Sequence, residues 1–200
     1  THLFNHDYFI FSDLDVRNTF SIPDEVTKVI HLAGSPDRKE IASDPLKLIN
    51  TVVQGTTNIL DAVNEHGKIE KILNFTSGYV SAAKYINDDG VLSYSFDDPS
   101  KLMAVYSDSK RMSEVLANVY KRRYQLNIQN IRPYAFVGPF MNLNKVWAIN
   151  NFFLDAINNN NIVVNGDKRT VRSYMFAPDM AFSTLFCLSN HDSHMIELGS

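Results

Sequence analysis

The chain has 200 residues, 44% of them hydrophobic and 20% charged, enough for one globular domain with a sizeable core. Its net charge of -3 leaves no basic surface and argues against nucleic acid as the main partner. No apolar run approaches the roughly 20 residues that cross a bilayer, and Thr1–Asp7 lacks the charged and apolar regions of a signal peptide, so no membrane partner is expected and the expected location is cytoplasmic.

Tyr8–Val16 reads as a strand that runs into Asp13–Arg17 at its carboxyl end. Val29–Gly34 is a second short apolar strand, ending in small residues. Continuous apolar strands followed by long helices imply a parallel sheet covered on both faces. A helix is predicted from Ser43 or Asp44 as cap, with Pro45 in its first turn. Leu46, Ile49, Val53, Ile59, Leu60 and Val63 carry it to Glu65, and Gly67 stops it. Lys71–Gly78 is the next strand and delivers Thr76 and Ser77 to the carboxyl edge of the sheet, where ligands of doubly wound folds bind. Residues 81–99 show no clear period and are expected to form a long loop over that edge. A long helix begins near Ala104, carries Tyr106 and Lys110, and runs to about Tyr124. Asn127–Arg132 is a strand broken by Pro133, and Val146–Ile157 is a helix followed by a solvated turn at 158–161. Ile162–Val164 and Ser173–Phe176 are short strands flanking a loop rich in Gly, Asp, Lys and Arg. Pro178 opens the last helix, where the single cysteine, Cys187, is expected in core packing, and Met195–Leu198 is the last strand. No disulfide and no metal site is expected.

Tyr106 and Lys110 are four residues apart and share one helical face. A free tyrosine, with a pKa of about 10, is a poor base at neutral pH; a neighbouring ammonium favours the phenolate, each tenfold gain in acidity corresponding to about 1.4 kcal/mol. Such a pair can take a proton from a substrate hydroxyl while a hydride leaves the same carbon. Taken alone, the same residues read as an exposed tyrosine and a lysine on a solvated face. Ser77 can hold the reacting hydroxyl for Tyr106, or simply cap the turn after its strand. Arg172, with Arg169 nearby, offers a fork of donors for a phosphate, or is a surface arginine. His31, in an apolar strand, reads as a satisfied core histidine rather than a catalyst. Asp15 reads as a turn or cap residue.

Taken in order, several stretches resemble the extended short-chain dehydrogenase/reductase family, the NAD-dependent epimerases and dehydratases of nucleotide sugars. Asp15-Val16-Arg17 is similar to the family's Asp-Ile-Arg segment beside the adenine ring. Val29-Ile-His-Leu-Ala-Gly34 is similar to its His-Leu-Ala-Ala strand end along the cofactor. Asp44-Pro45 followed by Asn50-Thr-Val-Val-Gln-Gly-Thr-Thr-Asn58 is similar to its Asp-Pro and Asn-x-x-Gly-Thr-x-Asn helix. Phe75-Thr-Ser-Gly78 stands where the family has its Ser-Ser or Ser-Thr pair, and Tyr106 with Lys110 matches its catalytic pair. Arg132-Pro133 and Gly138-Pro139 resemble its Arg-Pro and Gly-Pro around the nicotinamide edge, and Gly166-Asp167 with Arg172–Asp179 resembles its diphosphate-binding segment.

The resemblance implies a doubly wound parallel sheet, Rossmann-like α/β, with residues 1–140 as dinucleotide-binding core and 141–200 as part of a substrate lobe. It implies catalysis by Ser77, Tyr106 and Lys110, and a nucleotide-sugar substrate met by Thr76, Ser77 and Arg172. It further implies NAD or NADP held by Asp15, Val16, Leu32, Ala33, Gly34, Asn50, Tyr106, Lys110 and Pro133, and a homodimer when full length.

There are also departures. The family opens with a strand and a Gly-x-x-Gly-x-x-Gly loop whose helix N-terminus holds the pyrophosphate. Nothing before Tyr8 can serve, so the chain is expected to be the middle of a longer protein, lacking that strand and loop and part of its C-terminal lobe. Family 4,6-dehydratases carry Asp-Glu after the catalytic threonine, and family decarboxylases a glutamate in this stretch; here Gly78 and Tyr79 follow Ser77. The usual Val-Tyr-Gly is Val80-Ser-Ala82, and the asparagine usual after Arg-Pro is Ala135. An NAD(P)-dependent nucleotide-sugar epimerase or 4-keto reductase is the reading that follows. A 4,6-dehydratase or decarboxylase, and a non-catalytic dinucleotide-sensing or scaffolding relative, are the alternatives.

Overall fold

The computed structural model describes residues 6–81, 83–86, 90, 92–145, 147–166, 172–190 and 194–199. In chain order the elements are β1 (Lys28–His31), α1 (Arg38–Ser43), α2 (Pro45–Ile49), a π-helical turn (Asn50–Gln54), α3 (Gly55–His66) and β2 (Lys71–Phe75). A 3-10 turn (Gly78–Val80), β3 (Ala83–Ile86), β4 (Leu92–Ser95), α4 (Ala104–Tyr124), β5 (Ile128–Pro133) and β6 (Ala135–Val137) follow. The chain ends with α5 (Ala148–Ile157), β7 (Tyr174–Phe176), α6 (Ala177–Ser189) and β8 (Ile196–Leu198).

All five residues of β2 are buried, which requires a partner on each edge and a helical layer on each face. Those partners are β1 and β5, both parallel to β2, and β8 extends the sheet beyond β5 to give the order β1-β2-β5-β8. Alternation along the strands splits the core in two. On one face Ile72 and Ile128 pack with Ile59, Leu60 and Val63 of α3 and Ala117 of α4. On the other, Leu73, Phe75, Ile131 and Leu198 pack with Met180 and Cys187 of α6, so Cys187 is core as expected. The doubly wound arrangement read from the apolar strands is therefore present.

The predicted helix at 43–65 forms on the expected signals. Asp44 is its cap, its Oδ1 accepting from the Lys47 N–H at 2.9 Å, and Gly67 closes it with φ +71°. The π-helical turn that interrupts it was not expected, and such bulges recur at functional positions. Gly55 follows that turn because a Cβ there would stand 2.9 Å from Val16 Cγ2. The Asn58 amide donates to the carbonyls of Val16 and Asn18 at 2.8 and 3.1 Å, docking segment 15–18 on the helix.

Three local expectations fail, and one strand lies where none is expected. Tyr8–Val16 is irregular, and Tyr8, Ile10 and Phe11 face solvent. A strand exists only with a partner, and none of the described strands lies beside it. Residues 81–99 are not a plain loop, because β3 and β4 pair antiparallel with Ala83 opposite Ser95. Ile162–Val164 is irregular and about half exposed, without a strand to pair with among the described residues. Ala135–Val137, unassigned from sequence, pairs in parallel with β7. Val146, Asp167 and Arg169 lie outside the described residues.

Candidate active site

The site is built by α4 gripping the end of β2. Tyr106, Lys110, Ser113 and Glu114 lie along one side of α4, and all are buried. Ser113 exchanges hydrogen bonds with the Asn74 side chain, at 3.0 and 3.2 Å. Lys110 Nζ donates to the Phe75 carbonyl at 3.0 Å, and Glu114 Oε1 accepts from the Thr76 hydroxyl at 2.7 Å. The Ser77 hydroxyl lies near enough to the phenol of Tyr106 to oppose the rise of its pKa. Four consecutive residues of the strand end are thus matched to four side chains of one helix. That match fixes the height at which Ser77 and Tyr106 meet, and brings together the three residues expected to act.

Lys110 reaches further, to the Ala33 carbonyl at 3.1 Å, and so ties the end of β1 to the end of β2. Gly34 follows with φ +122°, and a Cβ there would meet Val52 Cγ2 at 2.7 Å and Lys110 Nζ at 3.3 Å. His31 is 4% exposed, with Nε2 3.1 Å from the Thr56 hydroxyl; burial first, and then the Lys110 charge, push its pKa down to about 4. It is the neutral, satisfied core histidine that its setting suggested.

One electrostatic expectation changes. Burial is the largest influence on Tyr106 and pushes its phenol above the ordinary value, with the Ser77 hydroxyl opposing and Tyr79 adding to the rise. The expected lowering by Lys110 is not present, because that ammonium is directed at two backbone carbonyls. Burial in turn pushes the Lys110 pKa from 10.5 down to about 8. Between those values the unfolded chain holds a proton that the folded chain has released, so stability rises with pH across that window. Raising the pH from about 8 to about 10.5 should therefore stabilise the wild-type chain relative to Lys110→Met, by up to about 3 kcal/mol in urea unfolding. A difference independent of pH would show that Lys110 keeps its ordinary pKa.

The other expected residues divide. Thr76 is 3% exposed and its hydroxyl is bound to Glu114 and, at 3.1 Å, to the Ile131 carbonyl, so it faces the framework rather than the sheet edge. Ser77 Oγ accepts from the Tyr79 N–H at 3.2 Å, making it a turn cap as well as a partner of Tyr106. Leu32 is exposed and Pro133 half-buried at the strand ends. Arg172 is exposed on the approach to β7. Asp15 is a turn residue paired with Arg17, whose guanidinium, 2.9 Å away at Nε, pulls its pKa down to about 2. Asp15, Arg17 and Asn18 line a cleft of about 470 Å³ with Asn50 and Gln54. Those last two belong to the π-helical turn whose Val52 abuts Gly34, so the polar cleft and the Lys110 corner adjoin. The donor set suits a nicotinamide dinucleotide: small residues at the end of β1, a buried ammonium, and a polar cleft beside them.

Sequence reasoning passed over Glu114, which binds Arg132 through two bonds of 2.8 and 2.7 Å, and Tyr134 and Glu197, which join at 3.1 Å. The signal for Glu114 was its spacing, four residues beyond Lys110 on the same face. An apolar cleft of about 410 Å³, lined by Val137, Phe140, Met141, Phe153 and Phe176, lies beyond β6.

A parallel sheet wound on both faces, with Ser, Tyr and Lys converging at its carboxyl edge, places the chain in the class of doubly wound dinucleotide-binding folds. The chain belongs to the NAD dependent epimerase/dehydratase family, whose pattern it matches over residues 3–199. It is similar to UDP-glucuronic acid decarboxylase 1 of Xenopus tropicalis, 22% identical over 199 residues that are 100% of this chain and 46% of the relative. In structure it resembles the Bordetella bronchiseptica enzyme WbmF in complex with NAD+ and UDP, with TM-score 0.78 and 18% identity, covering 98% of this chain and 60% of that one. It also resembles UDP-glucuronic acid 4-epimerase from Bacillus cereus in complex with NAD, with TM-score 0.75 and 19% identity, covering 100% and 63%. The chain spans about half the length of the curated relatives it matches. None of the helices among the described residues is long and apolar enough to cross a membrane.

Proposed function

We propose that this chain carries the catalytic edge of an NAD(P)-dependent nucleotide-sugar epimerase or 4-keto reductase. The observation that carries the reading is the convergence of Ser77, Tyr106 and Lys110 where β1 and β2 end. When bound, the dinucleotide supplies a hydride acceptor and donor at its nicotinamide. Ala33, Gly34, Lys110 and Pro133 would hold its nicotinamide half, and Asp15, Val16 and Asn50 its adenosine half. Ser77 holds the sugar hydroxyl, Tyr106 accepts the proton as the carbon is oxidised and returns it on reduction, and Lys110, held by the Ala33 and Phe75 carbonyls, supplies positive charge at the same corner of the site. Arg172 and the apolar cleft beyond β6 serve the nucleotide end of the substrate.

Decarboxylation is a second reading, favoured by relatives such as the UDP-glucuronic acid decarboxylases. Gly78 and Tyr79 weigh against it, since neither brings a carboxylate next to Ser77. A purely sensing role has no use for a proton-transfer set. Calorimetric titration with NAD and NADP, followed by incubation with UDP-sugars, tests the proposal. Micromolar dinucleotide binding with an isomeric or keto product supports it, and loss of carbon dioxide from UDP-glucuronic acid would favour the second reading.

A further inference from the structure

Gly78 and Gly199 have ordinary backbone angles, outside the left-handed region that requires glycine. What excludes a side chain from Gly78 is Tyr134, while at Gly199 the Ser173 hydroxyl stands in the way first and the Tyr134 ring second. A Cβ on Gly78 would stand 2.7 Å from Tyr134 Cε1 and 2.8 Å from Cδ1, and one on Gly199 would stand 3.0 Å from Cδ2. The ring therefore lies over Gly78, the residue after Ser77, and borders Gly199 at the end of β8. It is fixed at both ends, since the Tyr134 N–H donates to the Leu198 carbonyl at 2.8 Å and the phenol donates to Glu197 Oε2 at 3.1 Å. The other Glu197 oxygen accepts from Ser81 at 3.1 Å and from Arg132 at 3.4 Å. With three donors on it, Glu197 is an anchored carboxylate: burial raises its pKa, but the bonds from Ser81, Tyr134 and Arg132 prevail and leave it lowered. It is thereby kept from serving as a proton donor.

We propose that Tyr134, anchored on Glu197, is a specificity-determining residue of this site. It fills the space over Gly78, the residue after Ser77, with a neutral phenol and denies position 78 a carboxylate, so the site acts at the carbinol carbon held by Ser77 and Tyr106. With no acid at position 78 to protonate a leaving hydroxyl on the neighbouring carbon, water is not eliminated. The substrate class is then a nucleotide sugar interconverted with its epimer or its keto form. This rests on the hydride-transfer reading above and narrows it.

The test has two parts on the same chain. Gly78→Ala should lower the melting temperature by roughly 3–8 °C, the shift expected for an overpacked site in a chain of this size. In a Tyr134→Ala background the same change should cost nothing, while in a Tyr134→Phe background, which keeps the ring, the full loss should remain. Equal losses in all three backgrounds would overturn the proposal, because the space over Gly78 would not be Tyr134's. In the second part, UDP-glucose is incubated with NAD and the products weighed by mass spectrometry. Products that keep every oxygen support the proposal. Loss of water with Tyr134 in place overturns it while leaving the family reading intact. Failure to bind NAD, with the melting pattern as expected, instead marks failure of the hydride-transfer reading, and with it the specificity role.

Discussion

Replacing Tyr106 by phenylalanine should lower nucleotide-sugar turnover by about 10²–10⁴-fold while leaving dinucleotide binding and folding nearly intact. The ring is part of a small core with Ile41, Leu48 and Val52, so phenylalanine keeps its packing. Only the oxygen that meets Ser77 is lost. Burial holds this phenol above its ordinary pKa, so at neutral pH it stands protonated and is poised to donate. Acting as a base calls for positive charge at the moment of transfer, and Lys110, with a pKa of about 8, still carries it at neutral pH. The check is the rate of hydride transfer by nicotinamide absorbance, alongside calorimetric binding of NAD. Wild-type turnover by the phenylalanine variant would remove Tyr106 from the chemistry, whereas loss of binding together with turnover would make it a structural residue.

What the sequence reveals about this site depends on how local each cause is. The pairing of Tyr106 with Lys110 follows from helical spacing, and the delivery of Ser77 follows from an apolar strand that stops in small polar residues. The cap at Asp44 and the stop at Gly67 are equally local, and both are where the sequence puts them. The direction of the Lys110 ammonium is not local, because it depends on carbonyls 77 and 35 residues away. The same holds for Thr76, whose partner Glu114 is 38 residues distant and draws its hydroxyl inward. Tyr8–Val16 carries every local mark of a strand and fails as one for want of a neighbour among the described strands, since strand pairing lies outside the segment itself. The β3–β4 hairpin was hidden in the opposite way. Its strands are short and mixed in polarity, and only the run Asn87-Asp88-Asp89-Gly90 between them has turn composition. The glycine at 78 illustrates the limit most plainly, because its reason is a tyrosine 56 positions later rather than its own backbone.

Glu114→Ala should destabilise the chain by about 3–5 kcal/mol, because it leaves the Arg132 guanidinium largely buried without its main partner. The side chains of Arg132 and Glu114 are only 20% and 10% exposed, and two parallel bonds of 2.8 and 2.7 Å join them. Glu114 also raises the Arg132 pKa, its hydrogen bond being the largest cause, as expected of a pair that favours its charged form. The gross attraction is offset by the cost of burying both charges, so the net worth of the pair is small even though breaking it is severe. That asymmetry separates an ion pair from simple packing. Arg132→Met should by itself cost a similar amount, since Glu114 is then left in the interior with only Thr76 to satisfy it. Glu114→Ala combined with Arg132→Met should cost at least about 2 kcal/mol less than the sum of the singles, measured by urea unfolding. Additivity to within about 0.5 kcal/mol would show that the two side chains act independently. Coupling of the expected size would identify this ion pair as what holds Thr76, and through it Ser77, at the height where Tyr106 meets it.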